Sequence, residues 1–541
     1  MSVAAGRLAS RPLAGTGAML RLALRRDRVI LPLWIVVFAG MVTFSAQATM
    51  ELYPTAASRA AAVESLNGTP ALVALYGYVY SSSIGALSLL KTASTAAAFL
   101  AVLAFMLVVR HTRTEEEAGR LELVGATAVG RRAPLTAGLA VGIGTSVIIG
   151  TLSAAGLIAV GLPATGSIAF GLAWAATGSA FAAVGALAAQ LTTGGRAATG
   201  IAAAFLGLTY VLRAVGDVTG EDRAGWISWL SPIGWEQQVR PFAEERWPVL
   251  LLLVAFTVLV SGAAFILAGR RDLGAGLLAD RPGRSAAGSR LSGSWALAWR
   301  LQRGTLIAWM AAVGILGAVV GSIASQIGGM MDSPEARDFI TELGGTSFLT
   351  DAFLALELGM MGSIVAVFGM QAAMRMRSEE TAWRADLALA TTTGRTRWMA
   401  GHAIVALAGT AGILLVTGLG VGAGHSLQVG DAGEMGRVVA GALVQIPAAW
   451  VMVGVVVAVF GIFPRATAAT WGVLVAFLLL GEFGGLFEFP GWLMDLSPFA
   501  HTPRVPGGEV EAGQLAGLTV VAFALIGVGA VAFRRRDIAA G

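Results

Sequence analysis

Glu115, Glu116, Arg120 and Glu122 lie within eight residues of one another, and Glu379, Glu380, Arg384 and Asp386 repeat the arrangement 264 positions later. Carboxylates and guanidinium groups at this spacing are not a catalytic set. The chain has no cysteine, and its four histidines, His111, His402, His425 and His501, are scattered. Thiol chemistry and Cys-ligated metal are thereby excluded, and no metal site is expected. A P-loop, G-x-x-x-x-G-K-[ST], needs a lysine to hold phosphates. The one lysine, Lys91, follows "IGALSLL", so this chain carries no nucleotide site of that kind. What the acids and arginines can do is electrostatic: they can present a charged, ordered surface twice.

The two blocks read RTEEEAGRLELVGATAVGRR (113–132) and RSEETAWRADLALATTTGRTR (377–397). Each reads as one short helix. Thr114 and Glu117 have capping-box spacing, and Ser378 can cap the second copy. Glu115, Glu116, Glu379 and Glu380 fall at the positive helix start. Glu116 with Arg120, and Glu380 with Arg384, are four apart in the favoured order. Gly130 and Gly394 can supply a left-handed stop, with Arg131 and Arg395 following at the negative end. Surface pairs of this kind contribute only about 0.3–0.5 kcal/mol each. They specify a helix rather than stabilise a core. The plainer alternative is a pair of solvated loop helices.

These blocks sit in a chain of 541 residues that is 56% hydrophobic and 13% charged, with 72 glycines. That composition points to an all-helical integral membrane protein with closely packed helices. A spanning helix needs about 20 mostly apolar residues. Twelve segments qualify, near 29–48, 90–109, 135–159, 168–190, 198–215, 247–267, 305–327, 353–374, 399–420, 437–461, 467–482 and 514–533. The basic residues cluster in short loops between these runs, which is a topology signal rather than a nucleic-acid signature. Their asymmetry places both termini and both charged blocks in the cytoplasm. The N-terminal stretch before the first span lacks the apolar core of a secretory signal.

The chain reads as a parallel duplication. "LRRDRVILPLW" matches "WRLQRGTLIAW", pairing Arg25 with Arg300, Arg28 with Arg303 and Trp34 with Trp309. "WISWLSP" (226–232) matches "WLMDLSP" (492–498). Together with the charged blocks they define a first six-span repeat (1–267), a polar Gly/Arg-rich linker (268–292) and a second six-span repeat (293–541). The halves are expected to share one fold.

The pattern E-E-x-A-x-R-x-[ED]-L-x-x-A-T-x-x-G-R between the second and third spans of each half resembles type-2 ABC exporter permeases. Read as a whole, the chain resembles two such permeases fused, similar to the integral membrane subunits of tetronasin-type exporters of polyketide antibiotics. The resemblance implies that Glu115, Glu116, Arg120, Glu122, Gly130 and Arg131, with Glu379, Glu380, Arg384, Asp386, Gly394 and Arg395, form coupling helices. It implies two copies of a cytoplasmic ABC ATPase subunit as partners, with ATP and Mg on them and no cofactor on this chain. The cargo would be a small lipophilic, drug- or polyketide-like molecule, exported across the bacterial cytoplasmic membrane. In similar exporters the "LSP" region lids the outer end of the pathway. Ser231–Pro232 and Ser497–Pro498 would then begin short helices, Pro at the first helical position; membrane-interface anchoring by the neighbouring Trp residues is the alternative. Lys91 and Glu357 intrude on spans near the outer boundary. Each is either an interfacial, snorkelling charge or half of an ion pair closing an outer gate. A proton-coupled twelve-span carrier is the rival reading, but the loop here is acidic at its start and buried carboxylates are sparse.

Overall fold

The computed structural model describes residues 12–90, 92–220, 225–278, 293–324, 346–483 and 490–537. Among these residues every regular element is helical. In a bilayer the backbone must satisfy its own polar groups, and a helix does so within one segment. Among the described residues eleven helices are long and apolar enough to cross a membrane: Ile30–Leu52, Thr92–Glu117, Ala133–Ala159, Ala164–Leu191, Gly195–Thr219, Val249–Arg270, Ser294–Ala324, Thr350–Thr381, Arg395–Val429, Gly433–Ile462 and Ala512–Arg535. They match eleven of the twelve expected spans. The remaining one, expected at 467–482, is a 3-10 turn Pro464–Ala469 followed by the helix Thr470–Phe483, whose 14 described residues fall short of a full crossing.

The chain divides into two compact units, residues 1–283 and 284–541, and the division falls within the expected linker. In the first unit the helix Ala164–Leu191 is central, with Phe170, Trp174 and Phe181 fully buried. Its contact with Ala133–Ala159 depends on Gly150 and Gly171, because a Cβ on either would collide with the other's carbonyl oxygen. Backbones can approach this closely only where side chains are absent. In the second unit Ser294–Ala324 packs closely along Arg395–Val429 because Gly321 lies against the Val421 carbonyl and Gly424 against the Ala318 carbonyl. Outer faces such as Leu251, Val258 and Leu259 of Val249–Arg270 are apolar and exposed, as a lipid-facing surface is.

Two local departures from regular helix shape the ends. In the first unit the lead-in helix Thr16–Arg26 stops at Asp27, before Ile30–Leu52 begins. Asp27 is fully buried and is bound by His111 Nε2 at 2.6 Å and Arg110 at 3.0 Å. In the second unit Gln302 occupies the matching sequence position, and Ser294–Ala324 runs through without a break. The expected tenth span is interrupted at Gln445, between Gly433–Leu443 and Ile446–Ile462. Pro447 accounts for this, since it lacks an N–H and its ring crowds the carbonyl four residues earlier.

Candidate functional site

The charged block of the first unit does not form one continuous helix. It forms Arg113–Glu117 and Arg120–Gly125, separated by Gly119 in the left-handed conformation at φ 71°. In the second unit the long helix Thr346–Thr381 runs into the block, Trp383 takes the left-handed turn at φ 60°, and Arg384–Leu389 follows. The expected stops, Gly130 and Gly394, have no left-handed backbone; Gly394 instead precedes the helix Arg395–Val429. The expected caps are absent as well. Helix Arg113–Glu117 has no side-chain cap, and Ser378 lies within a helix with its hydroxyl on the Arg375 carbonyl.

The break re-partners the acids. A helical i,i+4 pair needs an unbroken helix between its members, and Gly119 and Trp383 remove that continuity. Arg120 therefore pairs with Glu115, through Nε at 2.6 Å and Nη2 at 2.8 Å, rather than with Glu116. Arg26 of the lead-in helix joins the same carboxylate. The Glu115 hydrogen bonds hold the Arg120 guanidinium above its ordinary range. In the second unit Arg384 pairs with Glu379 at 2.9 and 3.2 Å, not with Glu380, and Arg375 adds a bond to Glu379 at 2.7 Å.

Glu116 turns inward and is buried. Arg271, at the end of Val249–Arg270, grips it with two guanidinium nitrogens at 2.6 and 2.8 Å. The Gly274 N–H donates at 2.6 Å and Arg113 lies at 3.0 Å. Arg113 also reaches the carbonyls of Thr192 and Ala275. Glu117 accepts from the Gly195 N–H at 2.8 Å, at the start of Gly195–Thr219. Arg271 further donates to Gln190 at 2.8 Å, at the end of Ala164–Leu191. One short segment thus ties together the ends of five helices of its unit. Such charge-assisted, two-pronged bonds fix geometry as well as add energy.

The second unit repeats the core of this arrangement. Arg536, closing Ala512–Arg535, grips the buried Glu380 at 2.7 and 2.9 Å. Arg395 donates to the Arg536 carbonyl at 2.6 Å, just as Arg131 donates to the Arg271 carbonyl. Arg271 and Arg536 cap their helices, so a cation on each carbonyl meets the negative helix end.

Outward from each clamp stands a short tip. Leu123 is 76% exposed and Leu387 75%. Glu122 and Asp386 beside them are exposed as well. Arg271, Arg536, Leu123 and Leu387 were not singled out by motif reading. "RRD" at 270–272 recurs at 535–537 and could have flagged the two clamping arginines.

The other sequence candidates lie elsewhere. Ser231 starts the helix Pro232–Gln238, its hydroxyl accepting from Gly234 N–H at 3.2 Å and Pro232 at the first position. Ser497 precedes the 3-10 turn Pro498–His501 without capping it. Glu357 is half-buried on Thr346–Thr381, with no ion pair among the described residues. Lys91, and with it any pairing to Glu357, lies outside the described residues.

The family described as "Multidrug efflux system permease Rv1217c, C-terminal domain" matches residues 291–534. The multidrug efflux system permease protein Rv1217c of Mycobacterium tuberculosis is 45% identical over 527 residues, covering 97% of this chain and 95% of that protein. With helices long enough to span a bilayer and this similarity along nearly its whole length, the chain belongs to the multidrug efflux system permease family.

Proposed function

We propose that this permease is the membrane subunit of an ATP-driven ABC exporter of the type-2 class, built from two six-span repeats and similar to tetronasin-type exporters. Its two charged segments seat two copies of a soluble ATPase, which carry ATP and Mg. Both termini and both segments face the cytoplasm, in the bacterial cytoplasmic membrane. The cargo is a small lipophilic, drug- or polyketide-like molecule moved outward.

The observation that carries this reading is the duplicated clamp. Glu116–Arg271 and Glu380–Arg536 each fasten an exposed tip to the end of a long apolar helix. A push on Leu123 or Leu387 is then passed to helix ends rather than absorbed by a loop. Two like tips suit a partner present in two copies. The lack of a P-loop in this sequence supports hydrolysis on that partner.

The test is co-purification of the chain with a soluble P-loop ATPase from the same organism, followed by ATP turnover in the presence of candidate drugs. Assembly with two ATPase copies and drug-stimulated turnover support the reading. A chain that exports drugs from proteoliposomes on a proton gradient alone, without any ATPase, is a proton-coupled carrier instead.

A further inference from the structure

At the end of the first unit opposite the Glu116 clamp, a cavity of about 50 Å³ opens between residues 76–80, which include and follow the end of the helix Pro70–Tyr76, and the helix Pro232–Gln238. Its walls include Tyr76, Tyr78, Tyr80, Leu89, Leu90 and Glu236. The polar groups around it are tied down. Arg213 is fully buried, donates to the Ala74 carbonyl at 2.8 Å, faces Asp217 at 3.4 Å and lies over the Tyr210 ring. The Gln237 amide, oriented by its neighbours, donates to Asp217 at 2.8 Å and accepts from the Tyr78 N–H at 2.6 Å. Gln238 donates to the Tyr80 hydroxyl at 2.9 Å.

Glu236 differs. It is 1% exposed, it lines the cavity, and its Oε2 has no hydrogen-bond partner among the described residues. A buried carboxyl oxygen without a partner is costly. The wall behind it is also strained, because Arg240, Phe242 and Glu244 all hold positive φ. Such strain persists only where the surroundings enforce it. Phe242 is wedged against Gly85 and Gly166, where a Cβ would collide with its ring, and the Ser83 hydroxyl holds its carbonyl at 3.0 Å.

We propose that this cavity binds the ammonium end of an organic cation, with Glu236 as its counter-charge and the Tyr76 and Tyr78 rings as its walls. The structure already shows one such contact: the Arg240 guanidinium lies 3.9 Å from the centre of the Tyr80 ring. Aromatic faces and a desolvated carboxylate are the chemistry that recognises substituted ammonium groups. The space suits several waters or one such group, and the open side leaves room for an apolar remainder. Other ligands fit less well. A neutral ligand brings no charge to offset the carboxylate, an anion is repelled by it, and a bare divalent metal needs several oxygen ligands where Glu236 is the one acid among the described residues lining the cavity. The charged groups around Glu236 are Arg213 and Asp217 on Gly195–Thr219 and Arg240 on its own segment. Burial pushes the Glu236 carboxyl up to about 8, and the nearby Arg213 only partly offsets this.

This inference does not depend on ATPase docking, and its test uses neither ATP nor a partner. The full chain in lipid nanodiscs is titrated calorimetrically with benzyltrimethylammonium and, separately, with its neutral isostere neopentylbenzene. The ammonium compound is expected to bind and the isostere not. Glu236→Gln should weaken binding at least tenfold. Tyr78→Ala, at a ring 44% exposed, should weaken it several-fold. Binding by wild type near pH 7 should release protons, and the Glu236→Gln variant should release none. No binding by wild type, equal binding of the two compounds, or undiminished binding by a folded Glu236→Gln variant would overturn the assignment.

Discussion

Glu116 and Arg271 stand 155 positions apart in the chain and meet through two parallel hydrogen bonds of 2.6 and 2.8 Å. Both side chains are largely buried, so neither charge has water as a substitute partner. Truncating one member of such a pair costs about 3–5 kcal/mol, because it strands the other. Arg271→Ala and Glu116→Ala should each lower the unfolding temperature of the purified chain. The double variant should cost less than the sum of the singles. Arg536→Ala should behave likewise in the second unit. Additive losses in a double-mutant cycle would show that the pair is not the connection it is taken to be.

The exposed tips separate docking from folding. Leu123→Asp and Leu387→Asp alter side chains that face outward, so stability should change by no more than about 0.5 kcal/mol. ATPase co-purification should fall with either change and vanish with both. Full assembly by the double variant would remove the tips from the interface.

Arg120 and Arg384 occupy the weaker layer. Their side chains are about half exposed, and exposed pairs contribute about 0–1 kcal/mol. Arg120→Ala and Arg384→Ala should therefore leave the unfolding temperature within a degree or two, while the clamp variants shift it well beyond that. A loss from Arg120→Ala as large as that from Arg271→Ala would invert this ranking.

Glu236 gives a pH dependence of definite sign. Its carboxyl sits near 8 in the fold, above its ordinary value of 4.5. Between those values the unfolded chain has released a proton that the folded chain retains. Stability therefore falls as pH rises from about 4.5 to 8 and levels off above. Unfolding temperatures measured across that window should show the decline in wild type and a shallower one in Glu236→Gln. Parallel profiles would refute the shifted titration.

The purified chain should hydrolyse no ATP on its own. The sequence carries no P-loop, and Lys91 is its one lysine. Turnover that persists after every contaminating ATPase has been inactivated by mutation would contradict this.

Much of this protein was legible in one dimension. Apolar length alone marks the spans, since a helix must cover a fixed bilayer thickness at 1.5 Å per residue. The two charged blocks, their spacing and the repeat of "LSP" are likewise properties of the string. Which acid meets which arginine was not. Counting four residues along a helix joined Glu116 to Arg120, and the same rule joined Glu380 to Arg384. Gly119 and Trp383 turn left-handed and break that count, so Glu115 and Glu379 take the nearby arginines. Glu116 and Glu380 are thereby free to rotate inward onto Arg271 and Arg536. A local periodicity rule holds only while the helix is continuous, and partners some 155 residues away become available only when distant helix ends are brought together. The same limit hid Glu236, an unremarkable acid in "GWEQQ". Its burial, and an oxygen without a partner among the described residues, arise where residues 76–80 and 86–90 close against the helix Pro232–Gln238.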